Sequence, residues 1–227
     1  MKQKFTILFD LDGTLVDTAP DLMLAHNHVM KKFGYPTKST EDIRNLVGKG
    51  AGALIGRSIW GQAKKEFSKV LDAKIKDEMV KEFVNFYGKN IVNESTLVTG
   101  VKDFLIWCKE QNISMAVCTN KQEHLSNDLL KKIGIYDFFE YVAGSDTFDY
   151  CKPDPRHLTN VVEILDGDVK KTIMIGDSET DANAAKAAEI PVILLENGYT
   201  EKNTTEIYHN HLIKDFIDIE KIIKKYL

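Results

Sequence analysis

Two carboxylates, Asp10 and Asp12, are the residues whose types and spacing best indicate chemistry in this chain. They follow the apolar run Phe5–Phe9, which is predicted to be a buried strand. Residues two apart in an extended chain face the same way, so both carboxylates can address one ligand. Two unit charges about 4 Å apart repel by roughly 4 kcal/mol at an effective dielectric of about 20. The pair therefore implies a cation, a shared proton or a reaction that uses both groups.

A hydroxyl and an amide follow a second predicted strand, Ile113–Cys118. Thr119 and Asn120 stand where a helix is predicted to begin, and the free backbone N–H groups of a helix start suit an anion. Lys152 lies further along, in a loop that prolines stiffen at positions 153 and 155. Taken singly, these residues also fit a helix cap and a solvated side chain.

A second carboxylate pair, Asp177 and Asp181, follows the predicted strand Thr172–Ile175 at a strand-to-helix turn. Alone, this pair also fits ordinary turn and helix-cap residues. Ligands of parallel α/β sheets bind outside the carboxyl ends of the strands. We therefore expect these groups to meet Asp10 at one edge of a sheet and to form a single site.

Short β-branched runs alternate with helical patterns along most of the chain. The strands are apolar on both faces, which predicts an α/β fold with a doubly wound parallel sheet, a Rossmann-like core covered by helices on both sides. The predicted strands are Phe5–Phe9, Ile113–Cys118, Tyr141–Ala143, Thr172–Ile175 and Val192–Leu195. The predicted helices between them include Val101–Glu110, Gln122–Ile133 and Asp181–Ala188.

Only helical patterns occur between residues 17 and 93. They cover Asp21–Phe33, Thr40–Val47, Ala51–Ile59, Ala63–Leu71 and Lys76–Tyr87, with proline and glycine between them. We expect an all-helical cap subdomain over residues 17–93, inserted into a catalytic core formed by residues 1–16 and 94–227. An elongated crossover within the core explains the pattern less well, because several helices exceed what one crossover needs.

Composition limits the partners of the protein. Its 227 residues are 43% apolar, and a net charge of −4 gives no basic patch for nucleic acid or an anionic membrane. No apolar stretch reaches the roughly 18 residues of a membrane span, and we expect no secretory leader. The three cysteines fit no metal-ligand spacing, so a reduced, cytoplasmic protein is expected. A monomer and a homodimer both remain open.

Four ordered motifs of this chain resemble those of the haloacid dehalogenase superfamily. They are Asp10-x-Asp12-Gly13-Thr14, Thr119-Asn120, Lys152-Pro153 and Gly176-Asp177-x-x-x-Asp181. The resemblance covers essentially the whole chain, with the cap between the first and second motifs. Within the superfamily the chain looks most like the phosphoglycolate phosphatases, on the stretches 14–22, 46–51 and 176–188.

This resemblance implies a phosphatase that uses Mg²⁺ and forms an aspartyl-phosphate. Asp10 would be the nucleophile, and Asp12 would protonate the leaving alkoxide and then activate water. Superfamily members that cleave carbon–halogen or carbon–phosphorus bonds lack an acid at the position of Asp12. The presence of this carboxylate therefore favours phosphate esters as substrates.

The resemblance also implies which residues hold the ion and the phosphoryl group. The metal ligands would be the Asp10 carboxylate, the Asp12 backbone carbonyl and the Asp177 carboxylate. Phosphoryl oxygens would be held by the side chains of Thr119 and Lys152, with help from the backbone N–H groups of Gly13 and Asn120. Asp181 would pair with Lys152 and fix its ammonium group.

The substrate implied by the resemblance is 2-phosphoglycolate, hydrolysed to glycolate and phosphate. Lys49, flanked by two glycines in the cap, is a candidate donor to the substrate carboxylate, whereas Arg57 is expected at the solvated surface. The alternatives are a phosphatase for another small phosphometabolite (a sugar phosphate, a nucleotide or pyrophosphate) and a phosphomutase.

Two further alternatives come from other classes of protein. A phospho-accepting signalling receiver also combines acidic residues, Thr and Lys on a doubly wound sheet, but it has no use for Asp12 or for the cap. A regulatory protein on an inactive phosphatase scaffold is disfavoured because no motif residue is missing.

Overall fold

The computed structural model of the protein describes residues 4–66 and 73–227, and residues 60–66 and 73 by their backbone only. The strands are β1 (Thr6–Phe9), β2 (Val16–Asp17), β3 (Thr96–Leu97), β4 (Ser114–Cys118), β5 (Tyr141–Ala143), β6 (Thr172–Gly176), β7 (Val192–Leu195) and β8 (His211–Ile213). Six of them form one parallel sheet in the order β5-β4-β1-β6-β7-β8. The predicted parallel α/β core is thereby confirmed.

Nine helices accompany these strands in the described ranges. They are α1 (Ala19–Phe33), α2 (Thr40–Arg44), α3 (Ala51–Glu66), α4 (Ala73–Lys89), α5 (Val101–Glu110), α6 (Glu123–Lys132), α7 (Arg156–Ile164), α8 (Glu179–Ala187) and α9 (Glu220–Ile223). The core helices end within about two residues of their predicted bounds. None of the helices in this part of the chain combines the length and the apolarity that a membrane crossing requires.

Alternate residues of the central strands pack into two separate apolar clusters. On β1, Ile7 and Phe9 belong to one cluster together with Phe104 of α5. Leu8, between them, belongs to the other cluster together with Leu158 of α7. Because successive side chains of a strand point to opposite faces, helices cover the sheet on both sides. Burial of both faces explains why these strands are apolar at every position.

Four helices, α1 to α4, follow β2 and precede β3, and we refer to them as the cap. The predicted helices over 51–59 and 63–71 are one continuous helix, α3, as far as Glu66, and residues 67–71 of that prediction lie outside the described residues. Helix α2 ends at Arg44, earlier than predicted. Gly34, at φ +76°, ends α1 in the left-handed conformation that glycine adopts without strain.

The chain leaves the core and returns to it through one short antiparallel ladder. Val16 pairs with Leu97 and Asp17 pairs with Thr96, so β2 and β3 hold the two connections to the cap side by side. The sequence pattern predicts neither strand, because two residues are too few to show a period. The predicted domain limits at 16/17 and 93/94 lie beside this ladder and stay a prediction.

Candidate active site

The three central strands deliver the motif residues to one edge of the sheet. β1 lies between β4 and β6, and all three run in the same direction. Asp10 follows β1, Thr119 follows β4 and Asp177 follows β6, so these residues leave neighbouring strands at their carboxyl ends. The order of the strands thus brings Asp10 together with residues that are more than 100 positions away in the sequence.

Lys152 joins two of the carboxylates. Its Nζ donates to Asp181 Oδ1 at 2.5 Å and forms an ion pair with Asp10 Oδ1 at 2.9 Å. The side chains of Lys152 and Asp181 are 1% and 0% exposed, and that of Asp10 is 8% exposed. The other oxygen of Asp181 accepts from the Ser178 hydroxyl and from two backbone N–H groups at the start of α8. One oxygen of Asp181 therefore holds Lys152, and the other fixes the carboxylate at the start of α8.

Burial governs the protonation of this cluster. It raises the pKa of Asp10 to about 6, against the lowering effect of Lys152. Burial, reinforced by repulsion from Asp10 and Asp181, also raises the pKa of Asp177 well above its usual value. For Lys152, burial acts to lower the pKa, but the carboxylates of Asp10 and Asp181 outweigh it and raise the pKa above its ordinary value. The cluster is short of positive charge.

The carboxylate of Asp177 is held by two neighbouring segments. Its Oδ2 accepts from the backbone N–H of Tyr199 at 2.6 Å, and its Oδ1 accepts from the Thr14 hydroxyl at 3.3 Å. Gly13, at φ +83°, passes so close that a Cβ there would lie 2.2 Å from Asp177 Oδ2. Glycine is therefore required by both the conformation and the space at this position.

The residues present fit a divalent cation with hard oxygen ligands. Asp10, Asp177 and Asp181 each offer a carboxylate oxygen, and these oxygens lie within 4.8 Å of one another. Three carboxylates and the one ammonium of Lys152 leave a formal charge of −2. Asp10 Oδ1 is buried, and it lies 2.9 Å from the Lys152 ammonium. Such an oxygen set suits Mg²⁺. The structure brings Asp181 rather than the Asp12 carboxylate into this group.

Asp12 points to different partners. Both of its carboxylate oxygens accept from Lys121 Nζ, at 2.8 and 3.0 Å, and Oδ1 also accepts from the Thr18 hydroxyl at 2.7 Å. The same ammonium lies 4.4 Å from the centre of the Tyr87 ring on α4. Lys121 was not among the residues predicted from the sequence, although its position directly after Thr119-Asn120 is a signal that could have found it.

Thr119 and Asn120 lie beside these carboxylates. The Thr119 side chain is buried, and its Oγ1 accepts from the backbone N–H of Lys121 at 3.2 Å. The Asn120 amide donates to the backbone carbonyls of Lys152 at 2.9 Å and Gly48 at 3.1 Å. Asn120 thus ties the Lys152 loop and the cap to the end of β4.

A cavity of about 260 Å³ opens between this edge of the sheet and the cap. Asp10, Asp12 and Thr119 line its floor, and α4 contributes the apolar side chains of Val80, Phe83 and Val84. Among the described residues, the lysines that line it are Lys49 and Lys121. Lys49 is exposed to solvent, whereas Lys121 is 8% exposed.

Arg57, expected from the sequence at the solvated surface, has protein partners. Arg57 forms an ion pair with Glu201 and donates to the carbonyls of Asn45 and Leu46, so it contacts the core rather than only solvent. Cys118 is buried, and burial raises the pKa of its thiol to about 12. The side chain of Trp60 lies outside the described residues.

Similarity to known proteins shows the family of this chain. Residues 7–195 match the family model described as haloacid dehalogenase-like hydrolase. The chain is 37% identical over 210 residues to a phosphoglycolate phosphatase of Mesorhizobium japonicum, covering 92% of this chain and 90% of that protein. It is 39% identical over 216 residues to a phosphoglycolate phosphatase of Caulobacter vibrioides, covering 95% and 89%.

Solved structures with the same architecture exist. A crystal structure described as a predicted phosphoglycolate phosphatase from Haemophilus somnus matches with a TM-score of 0.90 at 31% identity, covering 98% of this chain and 99% of that one. A β-phosphoglucomutase from Clostridium difficile matches with a TM-score of 0.78 at 23% identity, covering 98% and 97%. The second likeness concerns the fold alone.

Proposed function

Since this chain belongs to the haloacid dehalogenase-like hydrolase family and is a phosphatase, we propose that it hydrolyses 2-phosphoglycolate through an aspartyl-phosphate on Asp10. The observation that carries this proposal is the position of the Asp10 carboxylate. It lies at the floor of the cavity, held by Lys152 and next to Asp177. A second carboxylate, Asp12, lines the same cavity and has separate partners.

In the first half of the reaction, an Asp10 oxygen attacks phosphorus and the bond from phosphorus to the ester oxygen breaks. Asp12 donates its proton to that oxygen, so glycolate leaves as the alcohol. Thr119 and Lys152 hold the phosphoryl oxygens while the bonds change. Asp181, by accepting from Lys152 at 2.5 Å, keeps this ammonium in place.

In the second half, water attacks phosphorus and the bond from phosphorus to Asp10 breaks. Asp12, now a carboxylate, takes the proton of the water, and inorganic phosphate and the free Asp10 carboxylate are formed. A bound Mg²⁺ would supply positive charge to the phosphoryl oxygens and to the Asp10 carboxylate. Asp10, the Asp12 backbone carbonyl and Asp177 are proposed to hold it.

The size and lining of the cavity support a small anionic substrate. A volume of about 260 Å³ lies below the roughly 300–1,000 Å³ of sites for drug-sized ligands. Lys121, close to Asp12, is placed to attract a carboxylate on the leaving group. Lys49 is a second candidate for this contact. The relatives named phosphoglycolate phosphatases support the same substrate.

Two measurements test the proposal. Turnover with 2-phosphoglycolate, ethyl phosphate, sugar phosphates, nucleotides and pyrophosphate is expected to be fastest with 2-phosphoglycolate. Rapid quenching with phosphorus-labelled substrate, followed by peptide mapping, is expected to place the label on Asp10.

Other outcomes select the alternatives. Faster turnover of a sugar phosphate or nucleotide would assign that compound as the substrate in place of 2-phosphoglycolate. Return of the label to a second hydroxyl of the sugar would indicate a phosphomutase. Label on another residue, or on none, would refute the nucleophile.

A further inference from the structure

We propose that Tyr199 is a positioning residue that couples the placement of the cap to the carboxylate of Asp177. Tyr199 lies in the loop after β7 and is 2% exposed. No motif in the sequence pointed to it. The inference rests on the proposed function in one respect, since it takes Asp177 to be a ligand of the divalent cation.

At one end, Tyr199 determines the setting of Asp177. Its backbone N–H donates to Asp177 Oδ2 at 2.6 Å. The preceding Gly198 is pressed against the same residue, since a Cβ at Gly198 would lie 1.9 Å from the Asp177 backbone oxygen. A shift of this loop therefore cannot leave the Asp177 carboxylate where it is.

At the other end, the Tyr199 hydroxyl reaches the first connection to the cap. It accepts from the backbone N–H of Ala19, the first residue of α1, at 2.9 Å and donates to Asp17 Oδ1. Arg44 of α2 donates to Asp17 Oδ2 at 2.7 Å, and its guanidinium lies 5.4 Å from the centre of the Tyr199 ring. One residue, through its backbone N–H at one end and its hydroxyl at the other, thus spans the distance from a metal-site carboxylate to the start of the cap.

The same loop contacts the cap at one further point and passes close to it at another. Glu201 forms an ion pair with Arg57 of α3. A Cβ at Gly48 would lie 3.7 Å from the backbone oxygen of Tyr199. The loop is therefore enclosed between Asp177 on one side and cap residues on the other. Because energetic coupling between two sites is reciprocal, cation binding at Asp177 and placement of the cap are expected to influence each other through this loop.

The substitution Tyr199→Phe separates coupling from a local role at the metal site. It removes the hydroxyl contacts to Asp17 and Ala19 and keeps the backbone N–H on Asp177. Titration calorimetry with Mg²⁺ and no substrate measures the affinity of the variant for the ion. We expect the variant to bind Mg²⁺ more weakly than the wild type does, by about 5-fold or more. Unchanged affinity would overturn the inference.

Amide hydrogen exchange gives a second readout that does not depend on activity. In the wild type, Mg²⁺ is expected to slow exchange of the amides in 40–50 of the cap. In Tyr199→Phe at saturating Mg²⁺, this slowing is expected to be lost, and slowing equal to that of the wild type would overturn the inference. Arg44→Met, which removes the cap side of the contact, is expected to reproduce the loss should Tyr199→Phe fold poorly.

Two controls keep the conclusions apart. Tyr208→Phe removes the hydroxyl of an exposed tyrosine and is expected to change neither measurement. Asp177→Asn is expected to abolish Mg²⁺ binding. Mg²⁺ binding that survives in Asp177→Asn would refute the metal site of the proposed function. If Asp177→Asn loses Mg²⁺ binding but Tyr199→Phe binds Mg²⁺ as tightly as the wild type, the coupling is refuted and the metal site is not.

Discussion

Single residues of the site combine deep burial with an excess of negative charge. Asp10 and Asp181 share one ammonium, that of Lys152, and Asp177 offers a third carboxylate oxygen within 4.8 Å of theirs. An isolated carboxylate so placed favours its neutral form, which is why burial raises the pKa of Asp10 and Asp177. The negative charge that the reaction needs therefore destabilises the folded protein when no cation is bound.

Asp10→Asn is expected to abolish turnover and to leave the metal-free protein at least as stable as the wild type. An amide does not attack phosphorus as a carboxylate does. Burial raises the pKa of Asp10 from 3.8 to about 6, so at neutral pH the wild type bears a penalty of at most about 3 kcal/mol that asparagine avoids. Activity assays and thermal melts in the presence of a chelator measure the two effects.

The stability advantage of Asp10→Asn depends on pH with a defined sign. A carboxyl whose folded pKa lies above its unfolded value destabilises the fold above the folded pKa, and this effect disappears below the unfolded pKa. The advantage should be largest above about pH 6 and vanish near pH 3.8. Asp128→Asn, at an exposed carboxylate, should show no such trend. An advantage that grows toward acid pH would contradict the assignment.

Lys121→Met is expected to lower kcat/KM for 2-phosphoglycolate by roughly 10- to 100-fold, as for loss of a charged hydrogen bond of about 1.5–3 kcal/mol. The ammonium contacts both Asp12 oxygens and lines the cavity. The loss should be smaller for ethyl phosphate, whose leaving group has no carboxylate. Lys132→Met, at an exposed lysine, is the control. Equal losses with both substrates would limit Lys121 to orienting Asp12.

At the scale of elements, α1 is fastened to the second connection of the cap by one buried side chain. Asp21, in the first turn of α1, accepts from the backbone N–H groups of Asn93, Glu94 and Ser95 and from the Ser95 hydroxyl. These residues lead into β3. The two connections are thus held together by the ladder of β2 and β3 and, one turn later, by this carboxylate.

Asp21→Ala is expected to destabilise the protein by about 2–4 kcal/mol, because it leaves buried donors at Ser95 without an acceptor. Chemical denaturation measures the change, and amide exchange at 93–95 should become faster. Asp77→Ala, at an exposed residue of α4, should stay within about 0.5 kcal/mol of the wild type. Equal stability of the two variants would show that the ladder alone holds the connections.

At the scale of the whole molecule, the site lies where the core and the cap meet. The core supplies the carboxylates and Lys152, and the cap closes the cavity with the apolar face of α4. Apolar walls exclude water from the reacting groups and strengthen the electrostatic contacts within. Arg57 with Glu201 and Tyr87 with Lys121 link the two parts across the cavity rim.

Removal of the cation is expected to abolish activity and lower stability together. Mg²⁺ at about 100 times its dissociation constant should stabilise the fold by about 2.7 kcal/mol, which raises the melting temperature by roughly 5–10 °C for a chain of this size. Melts with chelator and with added Mg²⁺ measure this shift. The same titration on Asp177→Asn should give none, and a shift that persists there would place the ion elsewhere.

Ca²⁺ is expected to bind and to inhibit. Its shell of about 6–8 oxygens can take both oxygens of Asp10, so that neither is free to attack phosphorus. Assays at fixed Mg²⁺ with increasing Ca²⁺ should show loss of turnover, while melts with Ca²⁺ alone should show stabilisation. Full turnover with Ca²⁺ as the only divalent cation would contradict this explanation.

The sequence by itself determined the class of the fold and predicted the chemistry of the candidate site. Strand and helix periods are local, so the strands that carry Asp10, Thr119 and Asp177 could be located to within about one residue. The rule that ligands gather at carboxyl ends of parallel strands then predicted one site from separate motifs. β2 and β3 carry two residues each, too few to show a period, and neither they nor β8 were predicted.

The resemblance implied the pairing of Lys152 with Asp181, but the tertiary structure alone decided the partners of Asp12 and Asp17. Lys121 and Asp12 are 109 positions apart, and Tyr199 and Asp17 are 182 apart. Such contacts depend on the order of the strands and on the packing of the cap against the core. No local sequence pattern encodes either of these. For the same reason, Asp181 rather than the Asp12 carboxylate joins the acidic cluster. Residue types fix what a group can do, whereas its neighbours in space decide what it does.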